Sequence, residues 1–230
     1  MAPIPQQNEL EVLFDSSSIY TRYESRRSLR LYLMIKRGMD IMGAAIGLIL
    51  LAPIFIIVAL CIKIEDPKGS VFFYQERIGR NERHFNMFKF RSMVTNAEDL
   101  LENLLVQNEI EGAMFKIKQD PRITKVGRFI RKTSIDELPQ LWNVIRGEMS
   151  LVGPRPPLHR EVLEYSSYDK LRLKVTPGCT GLWQVSGRNE LSFNEMVALD
   201  LKYIEQRGIL LDIKLVILTV RVMFGSKDAY

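Results

Sequence analysis

An uncharged stretch of 22 residues, 41–62, is the strongest hydrophobic feature of the chain and predicts a membrane-embedded helix. One continuous helix of that length would rise about 33 Å, enough to span the hydrocarbon core of a bilayer. Pro53 lies mid-stretch, where a proline breaks or kinks a helix because it has no N–H group. Basic residues flank both ends, so charge assigns no clear direction of crossing. Two topologies stay open: a single span, or a broken helix that enters and leaves on one face, with arms that each rise about 15 Å.

Alternating apolar and polar residues predict a β-hairpin further along the chain. Its strands would run over 71–78 and 85–92 and be joined by the polar turn 79–82. Helical periodicity predicts amphipathic helices in three more stretches, which are 97–111, 193–206 and 209–224. Charged residues interrupt the last of these, which excludes a membrane span and leaves an interfacial or a buried position. The pattern as a whole indicates an α+β protein that is mainly helical.

The motif IDELP at 135–139 combines two adjacent carboxylates with the expected start of a helix. Pro139 fits the first helical turn because it has no N–H group to lose there. Apolar residues then recur at helical spacing up to Gly147, and these are Leu138, Leu141, Trp142 and Ile145. Asp136 and Glu137 would lie where helix N–H groups point outward, which stabilises a carboxylate as the anion. Such an anion suits a nucleophile that works among phosphates.

A second interpretation of this motif involves no chemistry. Ser134 and Glu137 match the capping box S-x-x-E, which caps many helices. Adjacent helical residues point about 100° apart, so Asp136 and Glu137 would not share a proton and could not flank a sugar as a glycosidase pair does. If both carboxylates are catalytic, each has its own role.

The net charge is +5, with 32 basic and 27 acidic residues, and the basic surplus is concentrated in two clusters. Residues 22–37 carry six basic residues against Glu24, which favours contact with anionic lipid on the cytoplasmic side. Residues 116–132 carry seven against Asp120, which favours a phosphate site. No nucleic-acid recognition motif accompanies either cluster.

Four sequence blocks along the chain can be compared with known families. They are KRGMD at 36–40 before the proline-containing stretch, YQERIGRNERHFNMFKFRSM at 74–93, SIDELPQLWNVIRGEMSLVGPRP at 134–156, and TPGCTGLWQVSGRNE at 176–190. With these blocks the chain resembles the monotopic phosphoglycosyl transferases, also called bacterial sugar transferases. The resemblance covers roughly residues 33–225.

The resemblance implies an activity and a set of functional residues. The family transfers a sugar 1-phosphate from a nucleotide sugar, usually UDP-linked, to a polyprenyl phosphate such as undecaprenyl phosphate, and releases UMP. It works through a covalent phosphosugar–aspartate intermediate and needs Mg²⁺. On this chain, Asp136 would be the nucleophile and a Mg²⁺ ligand, and Glu137 its partner. The implied phosphate-binding residues are Lys89, Arg91, Arg128, Arg131 and Arg155.

The resemblance also implies an architecture with a re-entrant membrane helix. The expected parts are a tail with a basic membrane-proximal segment at 1–32, the membrane helix at 33–68, and a cytosolic catalytic domain with a short β-hairpin and interfacial helices at 69–230. Ala52-Pro53 would form the break, where the family often has Ser-Pro. The catalytic domain would face the cytoplasm at the bacterial inner membrane, in keeping with a chain of only two cysteines. Membrane lipids are expected partners, and a homodimer stays open.

Two other classes of protein would fit the charge pattern. One is a membrane-anchored module that binds anionic lipid or phosphate without catalysis, and the other a membrane-spanning protein whose soluble domain binds nucleic acid. Neither would turn over a nucleotide sugar. The block TGLWQVSGRN resembles members that handle galactose or glucose 1-phosphate, and it leaves the sugar open.

Overall fold

A computed structural model describes residues 27–100, 104, 117, 120–187 and 191–225. The predicted N-terminal tail lies outside the described residues, as does most of the helix predicted at 97–111, of which 97–100 form turns. Part of each basic cluster lies outside them as well.

Helix α1, Arg27–Glu65, is one continuous helix of 39 residues with Pro53 inside it. The predicted interruption at Pro53 is therefore wrong as a break in secondary structure, because the neighbouring turns stay helical around the one bond that proline removes. By length and composition, residues 29–65 could cross a membrane, and their most apolar window has a mean hydropathy of 3.1. Only 11% of that window is buried inside the protein, unlike the core helix of a soluble domain.

The predicted β-hairpin is confirmed. Strands β1, Phe72–Ile78, and β2, His84–Phe90, pair antiparallel, with Phe72 opposite Phe90 and Ile78 opposite His84. A 3₁₀ turn, Arg80–Glu82, joins them.

The rest of the domain consists of short helices and a second small sheet. Strands β3, Ser150–Val152, and β4, Gly178–Thr180, pair in parallel. The helices are α2, Lys125–Lys132; α3, Gln140–Arg146; α4, His159–Leu163; α5, Leu182–Ser186; α6, Phe193–Gln206; and α7, Ile209–Gly225. Two further 3₁₀ segments are Ile135–Glu137 and Asp169–Lys174. The mainly helical fold class and the helices predicted at 193–206 and 209–224 are thus confirmed.

Both halves of α1 pack against the same domain. In the first half, Ala44 joins a buried cluster of three further residues, which are Met87, Val144 and Met149. Glycines allow this close approach, since a Cβ at Gly43 would lie 2.8 Å from Leu151 Cδ1. In the second half, Val58 and Ile62 pack with Phe90 and Ile130. The segment 49–54 around Pro53 lies between these contacts and is largely exposed.

Helix α7 has two apolar faces. Leu215 is buried in a cluster with Val152 and Tyr203, so one face is part of the core. The opposite face carries exposed apolar side chains at helical spacing: Leu210, Ile213, Ile217 and Val220. The structure thus combines the two positions left open by the sequence, with one face in the core and one free to enter an interface.

Candidate active site

The two adjacent carboxylates lie in a tight turn between two helices. Helix α2 ends at Lys132, Ser134 adopts a left-handed conformation with φ 55°, and Asp136 and Glu137 fall in the 3₁₀ turn Ile135–Glu137. Pro139 precedes the first residue of α3, so the acids stand just before that helix rather than within its first turn. Gly147 ends α3 with φ 82°, as predicted.

The capping-box interpretation is wrong. The Ser134 side chain makes no capping hydrogen bond, and Glu137 is paired elsewhere, because Lys89 Nζ donates to its Oε1 at 2.6 Å. Lys89 comes from strand β2, 48 residues earlier. The motif is therefore not explained by local helix capping.

The two carboxylates have different electrostatic environments. Burial raises the pKa of Asp136 to about 6, and the charge of Glu137 adds to this while Lys89 and Arg131 oppose it. The Glu137 side chain is 46% exposed, so desolvation opposes its ionisation less than it opposes that of Asp136, and Lys89 and Arg155 hold the pKa of Glu137 below its usual range. The predicted stabilisation of both anions is therefore wrong for Asp136, whose buried carboxylate is protonated more readily than a free aspartic acid, while Glu137 stays ionised. The difference fits two separate roles.

Three of the predicted cations act on the dyad of Asp136 and Glu137. Lys89 forms an ion pair with Glu137. The charge of Arg131 lowers the pKa of Asp136, and the charge of Arg155 lowers the pKa of Glu137. Arg91 does not bond to the dyad, because its guanidinium pairs with Asp66 at 3.0 Å beyond the end of α1. Arg128 is exposed on α2 and, among the described residues, makes neither a hydrogen bond nor an ion pair with the dyad.

Arg155 is held on a rigid arm. The arm runs from Pro154 to Leu158 and docks on the hairpin, where the N–H of Ile78 donates to the Pro157 carbonyl at 2.9 Å. Arg155 Nη1 donates to Glu161 at 3.2 Å. Glu161 is buried and also accepts from the N–H of Leu158, which closes the arm on itself.

Arg77 belongs to the site and was missed by the sequence analysis. This residue of β1 is 6% exposed and its charge helps to lower the pKa of Glu137. Arg77 belongs to the block YQERIGR that the sequence analysis quotes. Its burial could not be predicted, because alternation along a strand does not indicate which side chain a segment distant in sequence will cover.

A magnesium ion fits the dyad in chemical terms. The described residues contain no group of three His, Cys, Asp or Glu side chains able to enclose a metal. Mg²⁺ is nevertheless commonly held by one or two carboxylates together with substrate phosphates. The buried Asp136 carboxylate, whose pKa burial has raised, is a donor that a nearby cation would stabilise.

Comparison with known proteins finds similar sequences over most of the chain. The chain is 48% identical over 217 residues to the galactosyl transferase CpsE of Streptococcus agalactiae, covering 94% of this chain and 48% of that protein. It is 44% identical over 200 residues to the UDP-galactose-lipid carrier transferase of Erwinia amylovora, covering 85% and 42%. It is 39% identical over 226 residues to the undecaprenyl-phosphate galactose phosphotransferase of Salmonella typhimurium, covering 96% and 47%.

The chain thus spans about half the length of these relatives. A family model described as bacterial sugar transferase matches residues 31–226, which include most of α1 and all of the hairpin, the dyad and α7. The match covers most of the chain, and the chain therefore belongs to the bacterial sugar transferase family.

Proposed function

We propose that this protein transfers a sugar 1-phosphate from a UDP-sugar to undecaprenyl phosphate and releases UMP. The observation that carries the proposal is the buried Asp136 carboxylate, set beside an ionised Glu137 and within the field of Lys89 and Arg131. The names of two relatives support both substrates, since they include UDP-galactose, a lipid carrier and undecaprenyl phosphate.

Asp136 would act first, as the nucleophile. One carboxylate oxygen attacks the sugar-bearing phosphorus, a bond from phosphorus to Asp136 forms, and the bond to the bridging oxygen breaks with its electron pair leaving on UMP. In the second step a phosphate oxygen of the acceptor attacks the same phosphorus and frees the Asp136 carboxylate. Each step exchanges one phosphorus–oxygen bond for another, so positioning and charge neutralisation are the main demands on the protein.

Glu137 would support this chemistry without taking a proton. Its lowered pKa makes it a poor general base near neutral pH, while its ion pair with Lys89 holds a cation beside Asp136. Mg²⁺, held by Asp136 and the substrate phosphates, would supply further neutralisation of phosphate charge.

The rate of the first step should depend on pH through Asp136. Only the ionised carboxylate attacks, and burial raises its pKa to about 6. With donor and no acceptor, we expect the rate of phosphosugar attachment to rise about tenfold per pH unit below 6 and to level off above about 7. The rate of attachment is measured from pH 5 to 8 by mass spectrometry of samples quenched at successive times. A rate already constant at pH 5 would show that Asp136 keeps an ordinary pKa.

The proposal places α1 as a re-entrant helix at the cytoplasmic face of the inner membrane, where it would bend at Pro53 without losing its helical turns. Contacts at both ends of α1 support the re-entry. Near its start, Arg37 donates to the carbonyls of Val144 and Ile145 at 2.6 and 2.9 Å. At its end, Glu65 accepts from the N–H groups of Lys125 and Val126 at 2.8 and 3.0 Å. Because both ends of the apolar stretch are tied to one domain, a crossing would drag part of that domain into hydrocarbon. The exposed stripe of α7 would lie at the same interface.

Replacing Pro53 with leucine should shift this topology. The change restores an N–H group and removes the ring clash, which favours one straight helix long enough to span. We expect a fraction of the variant to place its N-terminus outside, limited by the arginines that would have to cross. External labelling of a cysteine at Ser28, with Ser70 as the internal reference, measures the fraction. Ala52→Leu keeps the proline, so in this control the cysteine at position 28 should stay fully shielded from the external label.

A single assay separates the proposal from its rivals. UMP release is measured across a panel of UDP-sugars with undecaprenyl phosphate and Mg²⁺, with UDP-galactose and UDP-glucose as the first donors. Release that requires the lipid acceptor for multiple turnovers supports the proposal. Binding of phosphate or anionic vesicles with no UMP release from any donor would instead identify a non-catalytic binding module.

A further inference from the structure

Arg77 is a buried cation that the structure pairs only with neutral groups. Its Nη1 donates to the Pro156 carbonyl at 2.9 Å and its Nη2 to Gln75 Oε1 at 2.6 Å. Its Nε is buried without a hydrogen-bond partner. Among the described residues, no carboxylate lies within ion-pair distance of it.

The nearby carboxylates are already engaged by other cations. Glu137 is paired with Lys89 at 2.6 Å, and Glu161 is paired with Arg155 at 3.2 Å. Arg77 and Arg155 also lie close together, because Arg77 bonds the carbonyl of the residue that follows Arg155. Burial and the charge of Arg155 lower the pKa of Arg77 to about 9. Holding two guanidinium groups this way is unfavourable unless an anion completes the site.

The positions of these arginines relative to the dyad indicate which anion this is. Lys89, which pairs with Glu137, lies opposite Phe73, and Arg77 follows Phe73 by four residues, so Lys89 and Arg77 share one face of the hairpin. Arg77 therefore approaches the dyad from the side on which Lys89 holds Glu137, and its bond to Pro156 brings Arg155 to the same side. A UDP-sugar carries two adjacent phosphates, and the one attacked must lie at Asp136. The other, which stays with the nucleotide, would then lie on the Glu137 side of the dyad.

We propose that Arg77, together with Arg155, forms the subsite for the phosphate that remains on the nucleotide and leaves as UMP. This assignment rests on the proposed function. The bidentate fork of a guanidinium suits a phosphate with two free oxygens, and the buried setting strengthens the contact. As the bond to the bridging oxygen breaks, charge accumulates on this phosphate, so the subsite would also stabilise the leaving group.

The test compares UMP with uridine, which lacks the phosphate. We expect the full chain in detergent to bind UMP at least about 100-fold more tightly than uridine, as measured by titration calorimetry. Arg77→Met should reduce that ratio at least tenfold, and Arg77→Lys should reduce it in part because the ammonium cannot form a fork. Arg83→Met, at an exposed position of the same hairpin, should leave the ratio unchanged.

A second readout separates binding from folding. Because Arg77 is buried without a charge partner, Arg77→Met should unfold at a higher temperature than wild type when no nucleotide is present. Added UMP should then raise the melting temperature of Arg77→Met by less than that of the wild type. A wild type that binds UMP and uridine equally, or an Arg77→Met variant that keeps the full ratio, would overturn the inference. Failure of the proposed function would appear differently, as no turnover of any UDP-sugar by the wild type, and the UMP ratio can be measured in either case.

Discussion

Asparagine at position 136 is expected to lower the rate of sugar 1-phosphate transfer by roughly three orders of magnitude or more. The amide has nearly the shape of the carboxylate but lacks the charge and the nucleophilic oxygen of Asp136. Incubation with the correct donor and no acceptor should add one phosphosugar mass to the wild type and none to Asp136→Asn. A variant with near-normal turnover would exclude a covalent intermediate on this residue.

The same variant should not be less stable than the wild type near neutral pH. Burial raises the folded-state pKa of Asp136 to about 6, from the ordinary aspartic acid value of 3.8. A group with a raised folded pKa favours the folded state when protonated, and that contribution is lost as pH rises through about 6. Asp136→Asn should therefore melt at the same or a higher temperature than wild type at pH 7.5, with the difference vanishing below about pH 4. Loss of activity together with a lower melting temperature would indicate misfolding instead.

Local sequence patterns predicted much of the framework. Alternation located β1 and β2 to within about two residues. It did not separate a core face from a solvent face, because Met87 is buried on one face and Ile78 and Phe90 on the other. Helical periodicity predicted the bounds of α6 and α7 to within one residue, because each helix has a long apolar face. Gly147 ends α3 because it adopts a positive φ that few other residues accept.

Partners distant in sequence were the part that patterns could not predict. Lys89 lies on β2 and Arg91 directly follows the end of that strand, yet Lys89 pairs with Glu137 and Arg91 with Asp66. That choice depends on where α1 and the 3₁₀ turn dock against the hairpin, and nothing in the strand encodes it. The buried position of Arg77 likewise follows from the arm at 154–158, which covers it.

The turn that holds the dyad shows how neighbouring packing overrides local preference. The sequence around Pro139 predicted acids within the first turn of a helix. In the structure, Ser134 takes a left-handed conformation and the chain enters a 3₁₀ turn before α3 begins. This arrangement buries Asp136 while Glu137 reaches Lys89, so the conformation that separates the two carboxylates depends on tertiary contacts.

A second large effect is expected away from the dyad, at the buried ion pair of Arg172 and Asp200. Asp200 lies on α6 and Arg172 on the 3₁₀ segment Asp169–Lys174, and both side chains are almost fully buried. Arg172 also donates to the Tyr165 hydroxyl at 3.2 Å. Tyr165 packs with Ile78 at the end of β1, where the arm bearing Arg155 docks. The pair therefore supports one wall of the candidate site.

Asp200→Ala should lower the free energy of unfolding by about 3–5 kcal/mol, because it leaves the Arg172 guanidinium buried without a counter-charge. Denaturant unfolding in detergent measures the loss. The double variant Arg172→Met with Asp200→Leu removes both charges and fills similar space, so it should recover most of the stability. The Asp200→Ala variant that remains folded should keep the pH dependence of the first step, since Asp200 does not touch the dyad. If Asp200→Ala lowers the free energy of unfolding by less than about 1 kcal/mol, water or another acceptor reaches Arg172 in the variant. Apolar packing around Ile78 alone would then hold the wall beside Arg155 in position.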